Sequence, residues 1–329
     1  MTKPLVEALN LRPLPHPPVW IMRQAGRYLP EYRAIRKKHS FQEVVATPEL
    51  AAEVTIQPIR RFGMDGAVIF ADIMTPLEAM GVELTFDPGP KLAPLTLAEV
   101  AALPPLEPRR VAHVAETIRL VSKEIPDTTA VIGFAGAPVT LLAYLLEGGG
   151  SKDFMAMRAV LRSDPDLATR ALEGLARSMN TYLRVQAEAG ADVVQLFDTW
   201  AGLLDRNSFA ASALPAASTA LADVGCPTIY FAPGAGHTLD LQEGIGSTGI
   251  GIDWRTSLQE AFALFPDRAI QGNLDPAVLQ TDHEAIRGQV KRMLRELGGR
   301  PGHIVNLGHG IDRRTRPENV AALVEAVRS

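Results

Sequence analysis

The chain has 329 residues, of which 47% are hydrophobic and 21% charged, so it can bury a large core. Its 33 basic and 37 acidic residues give a net charge of −4, and without long basic runs nucleic acid is an unexpected partner. The single cysteine, Cys226, excludes a disulfide within the chain and a thiolate cage, and the scattered histidines predict no metal site.

The pattern along the chain alternates short apolar runs with amphipathic stretches. Residues 1–17 predict an N-terminal arm, and no linker or repeat divides the rest, which predicts one domain over 1–329. Eight apolar, β-branched runs predict strands over 18–22, 66–71, 130–134, 192–197, 228–231, 249–252, 269–271 and 303–306. Helical periodicity predicts helices over 48–62, 109–124, 166–189, 207–224, 257–265 and 282–297.

Apolar strands that alternate with helices indicate a parallel sheet whose outer side is covered by helices. Eight of them suit a single (β/α)₈ barrel of the TIM type, with the active site at the carboxyl ends of the strands. A doubly wound open sheet is the alternative. The barrel is favoured because six polar residues from six different runs fall at or just past a predicted strand end: Arg23, Asp72, Asp198, Asp253, Asn273 and His309.

Two sequence features point away from other classes of protein. The longest apolar stretch, 133–146, is too short and too interrupted to span a bilayer, and residues 1–20 lack the apolar segment of a signal peptide, so we expect a cytoplasmic protein. The glycine pattern at 244–249 precedes a predicted strand instead of following one, so we reject it as a nucleotide-binding site.

The arginine pair Arg23 and Arg27 is the first candidate for binding chemistry. Gly26 lies between them and Pro30 follows, so two permanent cations are expected on a tight bend. A guanidinium matches a carboxylate or phosphate in bidentate fashion, and each such hydrogen bond contributes about 1.5–3 kcal/mol. The residues alone leave both anions open, as well as a plain surface role.

Four further residues could complete a site. Asp72 ends an apolar run and could receive N–H donors or a developing positive charge, or could cap the next helix. Tyr144 follows a glycine-rich turn and could equally lie in the core. Thr199 supplies a hydroxyl or a cap. His309, held between two glycines, is interpreted as a ligand contact.

Six blocks of sequence, in this order along nearly the whole chain, resemble the uroporphyrinogen decarboxylase family: 23–32, 70–73, 133–138, 197–202, 272–276 and 306–310. The resemblance implies a TIM-type barrel that forms a homodimer and needs no cofactor. It implies conversion of the four acetate side chains of uroporphyrinogen III to methyl groups, giving coproporphyrinogen III. The substrate-binding positions that it implies are Arg23, Gln24, Ala25, Gly26, Arg27, Asp72, Tyr144, Thr199 and His309, with Asp72 as the catalytic residue.

The sequence departs from the expected pattern after His309. Residues 312–316 read Asp-Arg-Arg-Thr-Arg, which is more basic than the family resemblance leads us to expect, so the contacts of this loop are open.

Two other functions were weighed. A corrinoid-linked or zinc-dependent methyltransferase of the same barrel superfamily needs a Cys and His metal site, and Cys226 has no histidine beside it. A non-catalytic tetrapyrrole-binding protein would be expected to lack Asp72 or an arginine, and all are present.

Overall fold

A parallel sheet forms the centre of the molecule. The computed structural model describes residues 2–86 and 89–329. Seven strands pair in parallel in the order β1-β4-β5-β6-β7-β8-β9, and two short antiparallel strands, β2 and β3, form a separate hairpin. The strands are β1 (Gly66–Val68), β2 (Thr85–Phe86), β3 (Pro90–Lys91), β4 (Ala130–Gly136), β5 (Val193–Phe197), β6 (Thr228–Phe231), β7 (Gly249–Gly251), β8 (Ala269–Gln271) and β9 (His303–Ile304).

Helices connect and cover the parallel strands. They are α1 (Pro4–Leu9), α2 (Pro30–Arg36), α3 (Phe41–Ala46), α4 (Pro48–Phe62), α5 (Thr75–Ala79), α6 (Leu97–Ala101), α7 (Ala112–Glu124), α8 (Pro138–Glu147), α9 (Met155–Ser163), α10 (Pro165–Glu188), α11 (Arg206–Ser208), α12 (Leu214–Leu221), α13 (Leu258–Leu264), α14 (His283–Leu297) and α15 (Pro317–Arg328). Within the described residues, no helix combines the length and apolar character needed to cross a bilayer.

Most predicted elements are confirmed, and the exceptions have local causes. The helix predicted over 207–224 is interrupted: α11 is followed by a π-helical turn, Phe209–Ala213, before α12. Pro215 stands in the first turn of α12, and it lacks the N–H that a continuous helix would need there. The strand predicted over 66–71 ends at Val68, because the N–H of Phe70 donates to the Thr55 hydroxyl of α4.

The first predicted strand, 18–22, is wrong in extent. Only Val19 forms a bridge, in parallel with Val305 after β9. Its carbonyl also accepts a hydrogen bond from the N–H of Asp65, just before β1, so the segment lies between the two edge strands of the sheet. It stops there because the next backbone donors, Ile21 and Met22, bind side chains instead of a neighbouring strand.

A chain of buried polar side chains crosses the interior of the curved sheet. The indole N–H of Trp20 donates to Gln271 on β8 (3.0 Å), and the Gln271 amide donates to Gln195 on β5 (3.0 Å). All three side chains are buried. β5 and β8 are separated by two strands in the sheet, so this contact requires the sheet to curl around a common interior.

The predicted N-terminal arm contains α1, which packs against the amino ends of the strands. Leu9 contacts Gly249, the first residue of β7. Lys3 forms an ion pair with Asp192, which precedes β5 and also accepts a hydrogen bond from the N–H of Val131 in β4. The arm therefore covers the end of the sheet opposite the carboxyl ends, where the candidate residues lie.

We expect Leu9→Ala to lower the free energy of unfolding by about 2–5 kcal/mol, because it removes a buried side chain and leaves a cavity beneath β7. Urea unfolding of the variant measures this change. Leu264→Ala is the matched control: Leu264 is 43% exposed, so a change within about 0.5 kcal/mol is expected. Equal losses in the two variants would contradict the packing role of α1.

Candidate functional site

Arg23 lies on a tight turn that the neighbouring side chains fix in place. Its φ of 65° is in the left-handed region, which costs a residue other than glycine about 1–3 kcal/mol. Gln24 stabilises the turn: its Oε1 accepts from the N–H of Ile21 (2.9 Å) and its Nε2 donates to the carbonyl of Gly66 in β1 (2.8 Å). Gln24 is fully buried and both ends of its amide bind the backbone, which gives the side chain a positioning role, while its contact with substrate stays a prediction.

The same turn is tied to the loop that carries His309. Asn306 Oδ1 accepts from the N–H of Met22 (3.0 Å), and the N–H of Ile311 donates to the Met22 carbonyl (3.0 Å). The side chain of Arg23 packs against Gly310, where a Cβ would lie 2.5 Å from Arg23 Cδ. The turn after Trp20 and the loop after β9 therefore form one connected unit.

Gly26 is required by close approach. A Cβ on this residue would lie 2.8 Å from the carbonyl oxygen of Arg23, which is closer than side chains normally approach the backbone. The absence of a side chain lets the chain fold back and present Arg23 and Arg27 from the same short segment, as the sequence predicts.

Six of the nine candidate residues line two cavities. The larger, with a volume of 560 Å³, is called the arginine cavity; Arg23, Ala25, Gly26, Arg27, Trp254, His309 and Arg313 are among the residues that line it. The second, of 360 Å³, is called the Asp72 cavity; its lining includes Asp72, Phe41, Thr75, Glu78 and His113. Gln24, Tyr144 and Thr199 line neither of the two.

Asp72 is held at the start of the turn into α5. Its Oδ1 accepts from the N–H of Met74 (2.9 Å), and its own N–H donates to the Thr75 hydroxyl. Burial raises the pKa of Asp72 to about 6; Glu78 raises it further, while the Met74 N–H and the Arg23 guanidinium lower it. A carboxylate with a pKa near the working pH is typical of functional sites.

His309 is a neutral donor in this geometry. Its Nδ1 accepts a hydrogen bond from the N–H of Gly310 (2.8 Å), so the proton of the neutral ring is assigned to Nε2. Burial lowers the pKa of His309, and the positive charges of Arg23 and Arg255 lower it further. The ring can therefore donate one N–H to a ligand, and it adds no permanent positive charge to those of the arginines.

Tyr144 and Thr199 lie deeper than the arginines. Tyr144, on α8, packs edge-on against Phe154 and Trp200, with ring centroids 5.7 and 6.2 Å apart. Burial raises the pKa of Tyr144, and Asp72 and Arg23 shift it in opposite directions, so its hydroxyl lies within electrostatic range of both. Thr199 is partly buried beside Trp200.

Asp198 has a structural environment that the sequence analysis did not identify. It is fully buried after β5 and accepts hydrogen bonds from the hydroxyls of Thr140 (2.8 Å) and Tyr230 (2.8 Å). Burial raises its pKa to about 6 despite these two donors. Asp253, which also follows a predicted strand end, is bound by Arg255 and by the N–H of Gly234, so it joins the loops after β6 and β7.

The cavity lining adds residues that the sequence analysis did not predict as site residues, among them Trp254 and Tyr32. Trp254 directly follows Asp253, so the rule that selected residues just past strand ends could have included it. Tyr32 could not be found this way, because it lies on helix α2 and not after a strand. It lines the cavity because α2 follows directly after the Arg23 turn. Among the described residues, no group of three or more His, Cys, Asp or Glu side chains is arranged to hold a metal ion.

Gln24→Met tests the positioning role. Loss of the amide leaves the N–H of Ile21 and the carbonyl of Gly66 without partners, so the free energy of unfolding should fall by about 1–3 kcal/mol. Urea unfolding measures the change, and Gln259→Met, at an exposed residue, should change stability by less than about 0.5 kcal/mol. If the stability of Gln24→Met is unchanged, the positioning role is wrong.

Asp198→Asn tests the cost of the buried carboxylate. Because the folded pKa is raised, the stabilising contribution of Asp198 is full below the unfolded pKa near 4 and is lost as the pH rises through about 6. The stability of the native protein relative to the variant should therefore fall by on the order of 1 kcal/mol between pH 5 and 7.5. Urea unfolding at both pH values checks this. A stability difference between the native protein and the variant that is the same at both pH values would contradict the raised pKa of Asp198.

Comparison with known proteins agrees with the sequence blocks. Residues 1–329 match the family model described as uroporphyrinogen decarboxylase (URO-D). The chain is 46% identical to a uroporphyrinogen decarboxylase of Syntrophotalea carbinolica, over 98% of this chain and 96% of that protein. It is 43% identical to one of Carboxydothermus hydrogenoformans, over 99% of this chain and 96% of the relative.

A solved structure shows a similar fold. A methyltransferase from Methanosarcina mazei superposes with a TM-score of 0.82 at 21% identity, over 98% of this chain and 97% of the other. At that identity the likeness concerns the fold alone. The full-length family match and the identities above 40% are decisive: the chain belongs to the uroporphyrinogen decarboxylase family.

Proposed function

We propose that the protein removes the carboxyl groups of the four acetate side chains of uroporphyrinogen III, leaving methyl groups and giving coproporphyrinogen III. The observation that carries the proposal is the position of Arg23: its guanidinium lines the arginine cavity and acts electrostatically on Asp72, Tyr144 and His309 at once. Within the described part of the chain its guanidinium has no ionic partner, which suits a carboxylate ligand.

The substrate explains the residue types. Uroporphyrinogen carries eight carboxylates around a flexible ring with four pyrrole N–H groups. Arg23 and Arg27 are assigned to its carboxylates, and His309 can donate its Nε2 proton to another. Asp72 can accept the pyrrole N–H groups, and Tyr144 and Thr199 are assigned to further polar contacts with the substrate.

Charge stabilisation by Asp72 is the proposed source of rate enhancement. Protonation of a pyrrole ring carbon creates a cation, into which the electrons of the breaking bond to the carboxyl carbon flow as CO₂ leaves. The exocyclic carbon then takes up a proton and becomes the methyl group, and the ring carbon releases the proton that it gained first, which restores the neutral pyrrole. An ionised Asp72 stabilises the cation more than the neutral substrate, and this difference accelerates the step.

The cost of deprotonation weighs against an arginine as the proton donor. Taking a proton from a guanidinium at neutral pH costs on the order of 8 kcal/mol, so Arg23 and Arg27 are assigned to positioning. Arg27 and a carboxylic acid group of the substrate itself stay the two candidate donors. The reaction as written needs no oxidant or metal, so we propose that no cofactor takes part.

The finer architecture belongs to the same proposal. The bridge of Val19 to Val305 and the contact of Val19 with Asp65 support an eighth strand that closes a (β/α)₈ barrel. One contiguous cluster of buried apolar side chains supports a single domain over 1–329. A homodimer and a cytoplasmic location rest on the family resemblance alone.

Asp72→Asn should lower kcat by at least about 100-fold with little change in KM, because the neutral amide cannot offset the charge of the cation. Since burial raises the pKa of Asp72 to about 6, kcat/KM of the native protein should fall about tenfold per pH unit below that value. Anaerobic assays with reduced uroporphyrinogen III, followed by oxidation and chromatography of the porphyrins, measure both.

Glu78→Gln is the companion variant. Glu78 raises the pKa of Asp72, so its neutral replacement should keep the activity and move the acidic limb of the pH profile to lower pH. Near-normal kcat in Asp72→Asn would remove Asp72 from the mechanism. If the native protein forms no porphyrin with fewer carboxylates, the proposed function itself is wrong.

A further inference from the structure

The basic loop after His309 is anchored at both of its ends. The N–H of Ile311 donates to the Met22 carbonyl, which joins the loop to the Arg23 turn. At the other end, Thr315 is buried and its hydroxyl accepts from the Gln280 amide (2.7 Å). A hydrogen bond from the N–H of Thr315 to the Asp312 carbonyl closes a turn over Arg313 and Arg314. The turn therefore has a defined place beside the arginine cavity.

The two arginines of this turn have different environments. Arg314 binds Asp312 in bidentate fashion, Nε to Oδ1 at 2.9 Å and Nη2 to Oδ2 at 3.1 Å, and its backbone N–H adds a third bond. These bonds and the nearby charge of Arg313 lower the pKa of Asp312 to about 2. Arg313 lines the arginine cavity, and its side chain forms no hydrogen bond or ion pair within the described part of the chain.

The charges along the arginine cavity are unbalanced. Arg23, Arg27 and Arg313 line it, and in the ranges 2–86 and 89–329 none of their side chains has an ionic partner. Among the described residues, Asp312 is the only carboxylate of the lining, and it is bound to Arg314. A ligand with several carboxylates would supply the missing charge.

We propose that Arg313 binds a carboxylate arm of the substrate other than the arm undergoing decarboxylation. The inference rests on the proposed function and deepens it, since it names a third carboxylate-binding residue in a loop where the sequence departs from the family pattern. Arg23 perturbs Asp72, Tyr144 and His309, whereas Arg313 is not among the groups that shift any of them. Arg313 therefore acts away from the reacting centre, on substrate affinity and not on the chemical step.

Arg313→Gln should raise KM for uroporphyrinogen III about tenfold and leave kcat within about twofold, because an interaction common to ground state and transition state is lost. Arg313→Lys keeps the charge without the planar fork, so its KM should lie between those of the native protein and Arg313→Gln. Arg316→Gln is the matched control: it removes the same charge from the same loop at a residue outside the cavity lining, so KM should not change.

Equilibrium binding separates this inference from the proposed function. Fluorescence titration with oxidised uroporphyrin, which has eight carboxylates, and coproporphyrin, which keeps only the four propionates, requires no turnover. Weaker binding of both porphyrins by Arg313→Gln assigns Arg313 to a propionate, and weaker binding of uroporphyrin alone assigns it to an acetate.

Two results would overturn the role of Arg313: KM and both dissociation constants equal to those of the native protein, or equal losses in Arg313→Gln and Arg316→Gln. A native protein that binds porphyrin without decarboxylating uroporphyrinogen would overturn the proposed function, while a binding defect in Arg313→Gln would still support the carboxylate contact. A native protein that binds neither porphyrin would overturn both.

Discussion

The Arg23 turn depends on two buried side-chain amides whose oxygens accept hydrogen bonds from the backbone. Gln24 and Asn306 accept hydrogen bonds from the backbone N–H groups of Ile21 and Met22. Without these acceptors, the two N–H groups would be free to continue the strand pairing of Val19. Pairing with the sheet edges stops, and the chain turns at once into the left-handed conformation of Arg23. In an extended strand, successive side chains point to opposite faces of the sheet. The turn instead places the side chain of Arg23 along the arginine cavity. This position brings Arg23 next to His309 and Gly310.

The electrostatics of the site combine burial with an unneutralised cation. Burial alone disfavours the charged forms of Asp72 and His309, and it raises the pKa of the first and lowers that of the second. Arg23 opposes the effect at the carboxyl and reinforces it at the imidazole. The result is one permanent cation beside a carboxylate that can ionise near neutral pH and a neutral histidine. A polyanionic ligand with inward N–H groups matches all three.

The sequence predicts the periodic features well and the side-chain bonds poorly. Helix 48–62 and the strands 228–231 and 269–271 have the predicted bounds, because hydrophobic periodicity is a local property. The hydrogen bonds of Gln24 and Asp198 could not be predicted, since their partners, Gly66 and the Tyr230 hydroxyl, are distant in sequence and only the fold brings them together. The same limit applies to Arg313: the basic loop is visible in the sequence, but only the three-dimensional structure separates Arg313 from its ion-paired neighbour.

The pairing of Val19 with Val305 constrains how the chain is made as well as how it is held. The partners are far apart in the sequence, so the segment around Val19 has both of its neighbours only after Val305 has been synthesised. During synthesis the edge of β1 stays unpaired, and the Arg23 turn lacks the amide of Asn306 that fixes it. Contacts of such high sequence separation are slow to form, since loop closure must precede them. The site therefore acquires its final geometry late in folding. A chain that ends before Asn306 lacks the amide that binds the N–H of Met22 and cannot complete the turn.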